Sequence, residues 1–176
     1  VTLYETIVSF LLVTVSGILI AVLLWCSRGL SEILEPYLVV LNSLPKSALA
    51  PVLIVWLGNN TKTIIVAAVS VAIFGSIITL YTSFREIDPN KIKLIQVLGG
   101  NRLQIMTKVL LPGSIPTVIS NMKVNIGLCL VGVIIGEFLA SKQGLGYLII
   151  YGSQVFKMDW VMMSIVILCI VAMCLY

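Results

Sequence analysis

Five long apolar runs constrain the fold of this chain more than any other feature. They cover residues 6–25, 37–57, 63–81, 115–139 and 160–176, and the first, third and fifth carry no charged residue. A helix needs about 20 mostly apolar residues to cross a bilayer. Because only 10% of the 176 residues are charged, too few polar groups remain to cover five such helices in water. The sequence therefore predicts an all-α, polytopic membrane bundle with five transmembrane helices.

The remaining composition excludes several classes of function. The chain has no histidine, which excludes histidine acid–base chemistry, Ser-His or Cys-His nucleophile pairs and histidine-ligated metals. Its four cysteines form no CxxC pair, so we expect small buried hydrophobic residues rather than a disulfide or metal framework. The net charge of +4 is too small and too dispersed to indicate a nucleic-acid partner. We predict no catalytic residue and no metal site, and a surface that contacts membrane lipid.

The basic residues between the runs predict the orientation in the membrane. Segments 26–36 and 82–114 carry six Lys and Arg residues, whereas segments 58–62 and 140–159 carry three. Cytoplasmic loops of membrane proteins are enriched in Lys and Arg. The sequence therefore predicts a multi-pass protein of the bacterial plasma (inner) membrane with residues 82–114 in the cytoplasm.

The long loop 82–114 has the pattern of two short amphipathic helices. Asp88 followed by Pro89 predicts a helix start, and Gly99-Gly100, as two residues of positive φ, predict its end. Asn101 is placed to cap a second helix, which we expect to end near Pro112 and Pro116. The apolar residues recur at helical spacing; they are Ile92, Leu94, Ile95 and Leu98 in the first helix and Leu103, Met106 and Leu110 in the second. Such helices either lie on lipid headgroups or dock on a partner protein.

Residues 93–112, KLIQVLGGNRLQIMTKVLLP, resemble the EAA loop of bacterial ABC-importer permeases. That motif reads E-A-A, three residues, G, nine residues, and I-x-L-P. The spacing from the glycine to the Leu-Pro end is kept in full, whereas Lys-Leu-Ile replaces Glu-Ala-Ala at the front. The resemblance implies that this loop couples to an ATPase subunit through Lys93, Gly99, Gly100, Asn101, Arg102, Val109, Leu111 and Pro112.

Two further segments resemble the nitrate/sulfonate/taurine branch of these permeases. They are residues 44–58, LPKSALAPVLIVWLG, and residues 136–149, GEFLASKQGLGYLI. The three segments occur in the family's order, so the resemblance covers essentially residues 1–176 as one permease domain. Relatives normally carry one more N-terminal span and a short C-terminal tail, and we expect both to be missing from this chain.

The resemblance implies a transport subunit with a MetI-like fold rather than an enzyme. A second permease chain, expected to be an identical copy, would complete the pathway. ABC ATPase subunits would bind ATP and Mg²⁺, and an external solute-binding protein would deliver a sulfonate, taurine, nitrate or similar anion. No cofactor is expected in this chain, which also lacks the G-x-x-x-x-G-K-[ST] phosphate loop of an ATPase.

Polar residues inside the predicted spans are candidates for the pathway or gate, because charge inside a bilayer is costly. Lys46 lies between two prolines that should break or kink its helix, and it either lines a pathway for an anion or extends to the cytoplasmic side. Lys123 has the same two interpretations. Glu137 either contacts a gate or partner, or reaches water or Lys142. The candidates are Pro45, Lys46, Pro51, Asn121, Lys123 and Glu137.

Two other classes of function remain as alternatives. A secondary transporter would be expected to show internal repeats and acidic or histidine relays for ion coupling. The chain shows no repeat and no histidine, and Glu137 is the one clear acid inside a predicted span. A membrane scaffold or channel subunit would not need two helices at the spacing found in residues 82–114.

Overall fold

The computed structural model describes residues 1–175, and these contain helices but no strand. Four continuous helical stretches are long and apolar enough to cross a membrane: 2–26, 61–85, 102–140 and 158–175. The all-α class predicted from the sequence is therefore confirmed; Tyr176, the end of the fifth predicted span, lies outside the described residues. The elements are α1 Thr2–Cys26, α2 Arg28–Ser43, α3 Lys46–Leu57, α4 Thr61–Arg85, α5 Pro89–Val97, α6 Arg102–Ile105, a π-helix Met106–Leu110, α7 Leu111–Ala140, α8 Leu145–Gln154 and α9 Met158–Leu175.

The second predicted span is divided into two helices, α2 and α3, that meet at an angle of 102°. Leu44 and Pro45 are extended at the break, because a proline lacks an N–H and disfavours helical backbone in the residue before it. Pro51 lies inside α3 without ending it. The break predicted for this span is therefore found at Pro45 alone.

Segment 26–36, between the first two predicted spans, is helical from Arg28 onward. Arg28 and Glu32 lie one turn apart with Nε and Oε1 separated by 3.2 Å. Glu35, a further turn along, contacts Arg85 of α4 at 3.4 Å. An ion pair between residues one helical turn apart, such as Arg28 and Glu32, stabilises the helix.

The interhelical contacts define two ends of the bundle. At the α5 end, the guanidinium of Arg102 donates a hydrogen bond of 2.8 Å to the Cys26 carbonyl. At the opposite end, Val1, Asn60, Ala140 and Gln143 line one cleft. Segments 26–36 and 82–114 therefore lie at the same end, as the predicted membrane orientation requires.

Helix α4 packs between α1 and α7, and small residues bring α4 and α7 close together. A Cβ atom added at Gly132 would lie 2.7 Å from the Ala68 Cα, a separation that only glycine allows. Apolar residues fill the contacts along the bundle. The fully or almost fully buried ones include Leu24, Phe84 and Leu110 at the α5 end, Val13, Ala72 and Cys129 in the middle, and Ile64, Ala68 and Val133 at the opposite end.

The second helix of the 82–114 segment does not end at Pro112 or Pro116, so that prediction is wrong. Helix α6 continues through the π-helix into α7, which contains both prolines in its first two turns. Pro112 lacks the N–H that would bond to the Lys108 carbonyl, and the wider π-turn lies directly before it. Residues 102–140 therefore form one helical stretch that joins the loop directly to a membrane-spanning helix.

Candidate functional site

The first helix of the loop, α5, begins as the sequence predicts. Asp88 is the N-cap, and its carboxylate accepts a hydrogen bond of 2.9 Å from the Asn90 amide. Pro89 occupies the first helical position, where a missing N–H costs nothing. The rigid start fixes the direction in which α5 leaves α4.

Gly99 ends α5 with a φ of +79°, a backbone conformation that favours glycine. Gly100 was expected to share this conformation, but its φ is not positive; it is required for a different reason. Its amide donates to the Ile95 carbonyl at 2.8 Å, and an added Cβ would overlap the Ile95 side chain. The two glycines therefore serve different purposes in one tight turn.

The start of α6 is held to both the turn and the transmembrane bundle. Asn101 is the N-cap, as the sequence predicts, and its amide donates a hydrogen bond of 2.9 Å to the Gln104 side-chain oxygen. The next residue, Arg102, bonds to the Cys26 carbonyl at the end of α1. The loop is therefore joined to α1 by a hydrogen bond and to α7 by continuous helix.

Four apolar side chains of this segment project from the bundle. Leu94 is 60% exposed, Val97 85%, Leu98 74% and Leu103 67%, and we call these four residues the α5 patch. Ile92 and Ile95 are half-buried, and Ile105 and Leu110 are buried. Helix α5 thus has one half-buried apolar face, with Ile92 and Ile95, and a second apolar face that is exposed. Of the other predicted coupling residues, Lys93 and Pro112 are exposed, and Val109 and Leu111 are half-buried.

Lys46 is the first residue of α3, at the break after α2, and its side chain contacts the middle of α4. Its ammonium donates to the Asn42 side-chain oxygen at 3.1 Å and to the Val71 carbonyl at 2.7 Å. Val71 is ten residues from the first residue of α4 and fourteen from the last. The side chain therefore stays at mid-bundle instead of extending to the cytoplasmic side.

The Asn121 and Asn125 side chains of α7 are both buried and bond to the same atom of α4. Each Nδ2 donates to the Ser76 Oγ, at 2.8 and 2.9 Å. This supports an interhelical role for both amides. Lys123, between them in sequence, has an exposed side chain on α7.

One interpretation of the sequence had Glu137 reaching water or pairing with Lys142, and the structure shows neither. The Glu137 side chain is fully buried, and it accepts hydrogen bonds from the Thr2 hydroxyl at 2.6 Å and the Gly146 amide at 2.7 Å. Lys142 is exposed on the loop after α7. The carboxylate therefore joins α7 to α1 and α8 within one chain.

Sequence reasoning missed Glu5, which is also fully buried at this end of the bundle. It lies one residue before the predicted start of the first span, so it was not counted among the charges inside the membrane. Glu5 lies one helical turn before Ser9, so the sequence places both polar residues on one side of α1. The structure buries that side. Thr2 and Ser76 were missed because isolated hydroxyl residues are common in membrane helices.

Comparisons with known proteins place this geometry in a family. The family described as "Binding-protein-dependent transport system inner membrane component" matches residues 13–176. A probable ABC transporter permease protein of Haemophilus influenzae is 31% identical over the whole chain, which spans 72% of that relative. A putative aliphatic sulfonates transport permease protein of Bacillus subtilis is 26% identical over 97% of the chain, which spans 62% of it.

A solved structure shares the fold. The permease-like fold of this chain superposes on a chain from inward facing conformations of the MetNI methionine ABC transporter with a TM-score of 0.82. The match covers 99% of this chain and 87% of the other, at 21% identity. The arrangement of helices described above therefore recurs in a transporter of known structure.

Proposed function

The chain belongs to the family of binding-protein-dependent transport system inner membrane components, and on that premise we propose how it takes part in transport. It is an integral membrane protein and a permease subunit of an ABC importer, not an enzyme. We propose that it forms the pathway for a small anionic solute, with energy supplied by ABC ATPase subunits that bind ATP and Mg²⁺. The predicted family and fold class are confirmed by these comparisons.

The α5 patch is the observation that carries the proposed coupling to an ATPase subunit. Four apolar side chains are exposed on α5 and α6, a segment that also carries Lys91, Lys93 and Arg102. A short helix with an apolar face suits insertion into a groove on a partner protein. The capped start of α5, the Gly99 turn and the Arg102 bond hold this helix in a fixed orientation.

The location of the loop supports the same proposal. ATP is available in the cytoplasm, and the six basic residues of segments 26–36 and 82–114 favour a cytoplasmic position for the α5 end. We therefore place residues 82–114 in the cytoplasm, and the solute-binding protein at the opposite end of the bundle.

Co-purification tests this part of the proposal. The complete protein, tagged and expressed together with the ATPase encoded beside its gene, is expected to bring that ATPase down from solubilised membranes in a stable complex. Failure to recover any ATPase under these conditions, with the tagged protein itself intact and monodisperse, would contradict the proposal.

Lys46 is the residue that supports an anionic solute. Two of the three N–H donors of its ammonium are used by Asn42 and Val71, which leaves one for a solute oxygen. It also lies at a broken helix, and membrane proteins tolerate breaks where backbone faces protein or a water-filled cavity. Relatives named for aliphatic sulfonates, taurine and nitrate are consistent with an oxyanion group, although others are named for riboflavin and formylaminopyrimidine.

Replacing Lys46 with Met is expected to lower anion uptake about tenfold or more, because one charged hydrogen bond contributes about 1.5–3 kcal/mol. Lys46→Arg keeps the charge and should retain most uptake. The matched control is Lys62→Met, which removes an exposed lysine from the first turn of α4, at the end of the bundle opposite α5. Uptake of the solute bound by the partner binding protein is the measurement. Unchanged uptake by Lys46→Met would exclude this role.

We further propose that the pathway is completed by a second permease chain identical to this one. Residues of α1, α2 and α9 leave many large apolar side chains exposed, enough for both lipid and a second copy. The mass of the purified complex is the test, since an identical pair gives one permease band and two copies per particle.

A further inference from the structure

Two fully buried carboxyl groups, Glu5 and Glu137, lie side by side at the end of the bundle opposite α5. Glu5 is on α1 and Glu137 on α7. Two neighbouring carboxylates out of water repel one another, and each loses its hydration. The hydrogen bonds around the two groups show how the pair avoids this cost.

Glu137 is surrounded by donors. Its Oε1 accepts from the Thr2 hydroxyl at 2.6 Å, and its Oε2 accepts from the Gly146 amide at 2.7 Å. A backbone N–H can only donate, so Oε2 must be an acceptor. The backbone of Gly144 passes so close that a Cβ there would overlap this carboxylate. Donors from α1 and α8 thus occupy both carboxylate oxygens of Glu137.

Glu5 has the opposite surroundings. Within the described part of the chain, neither of its oxygens has a hydrogen-bond partner at bonding geometry, although the Thr61 hydroxyl lies nearby. The lysines of this end, Lys62 on α4 and Lys142 after α7, have exposed side chains. An ionised Glu5 would thus be a buried charge with no donor, which proteins rarely tolerate.

We propose that Glu5 is a neutral carboxylic acid whose O–H donates to the carboxylate of Glu137, so that one proton is shared by the two side chains. The shared proton completes a network from Thr2 and Glu5 of α1 through Glu137 of α7 to the first turn of α8. It ties these three helices together at the end where we place the solute-binding protein. The proposal rests on the burial of both side chains, the proximity of Glu5 to Glu137 and the hydrogen bonds around Glu137, independently of the proposed function.

Two consequences distinguish a shared proton from a pair of ordinary carboxylates. Above the pH at which a glutamic acid ordinarily loses its proton, the folded protein still holds one proton that the unfolded chain has lost. Raising the pH therefore favours unfolding. The two residues also differ in their response to an amide. Gln at position 5 can still donate to Glu137, whereas Gln at position 137 directs an N–H₂ group towards one of two donors.

The test uses the complete protein purified in lipid nanodiscs. In the infrared difference spectrum between wild type and Glu5→Gln at neutral pH, we expect a protonated carboxyl band that the variant lacks. The melting temperature of the wild type should fall as the pH is raised from about 5 to about 8, and that of Glu5→Gln should change little. Glu137→Gln should melt about 4–10 °C below Glu5→Gln at the lower pH.

Several results would overturn the proposal. A wild-type spectrum without a protonated carboxyl band, or a band that persists in Glu5→Gln, would show that Glu5 holds no proton. Stabilisation of the wild type but not of Glu5→Gln by Na⁺ or K⁺ would show that a cation occupies the pair instead. Because the infrared comparison needs only the wild type and Glu5→Gln, it decides the question even if Glu137→Gln does not fold.

Discussion

Replacing Val97 with Glu is expected to abolish capture of the ATPase subunit while leaving the permease folded. Val97 is 85% exposed at the end of α5, so the change costs the isolated chain little. In the proposed complex it places an unpaired carboxylate in an apolar groove, which costs about 2–5 kcal/mol. We therefore expect affinity for the ATPase to fall by about 30-fold or more, measured by co-purification and by titration of the purified subunits.

The neighbouring residue provides a matched control. Gln96 is exposed on the opposite side of α5 from the α5 patch, and Gln96→Glu adds the same charge one residue away. This variant should keep the ATPase and transport normally. Equal loss in both variants would mean that added charge alone, rather than the apolar face, disrupts the complex; equal retention would mean that the α5 patch is not the docking surface.

Replacing Gly132 with Leu is expected to prevent α4 and α7 from packing. An added Cβ would lie 2.7 Å from the Ala68 Cα and 3.2 Å from its Cβ. These are atoms of a facing helix that cannot rotate away, so we expect a cost of about 3 kcal/mol or more. The melting temperature should then fall by about 6–12 °C, if the variant accumulates in the membrane at all.

Gly127 offers the same substitution on the same helix without the same contact. It is exposed, and nothing lies within 4 Å of an added Cβ. Gly127→Leu should therefore melt close to the wild type, and even a small gain would be consistent with the poor helix propensity of glycine in water. Equal destabilisation by the two variants would contradict the packing described for α4 and α7.

Local patterns in the sequence predicted much of the fold. Continuous apolar runs located α1, α4, α7 and α9 to within four residues at each end, because the thickness of a bilayer sets the length of a spanning helix. Asp88-Pro89 and Gly99 predicted the start and end of α5, since capping and positive φ depend on adjacent residues. Features of this kind need no knowledge of the tertiary structure.

Features that depend on partners distant in sequence could not be predicted. Whether Pro45 or Pro51 breaks the second span depends on where α2 and α3 find contacts, and Pro51 is accommodated within α3. The continuation of α6 into α7 depends on a π-turn that absorbs Pro112. At the candidate site, the partners of Glu137 are 135 residues before it and nine after it, and no local pattern indicates such a pairing.

For Lys46 too, the sequence predicted the local feature but not the tertiary contact. The sequence identified it as a charged residue beside a helix break. Its bond to the Val71 carbonyl, 25 residues away, places its ammonium at mid-bundle. A long flexible side chain could have followed either course, and the tertiary contact holds it at mid-bundle.

The central claim is that this chain belongs to the membrane part of an importer powered by a separate ATPase. The most direct measurement is uptake of the cognate labelled solute by proteoliposomes containing the complete protein, the co-purified ATPase and the solute-binding protein. We predict accumulation that requires ATP on the α5 side of the membrane and persists when ion gradients are dissipated. Accumulation driven by an ion gradient without ATP, as in a secondary transporter, would contradict the account.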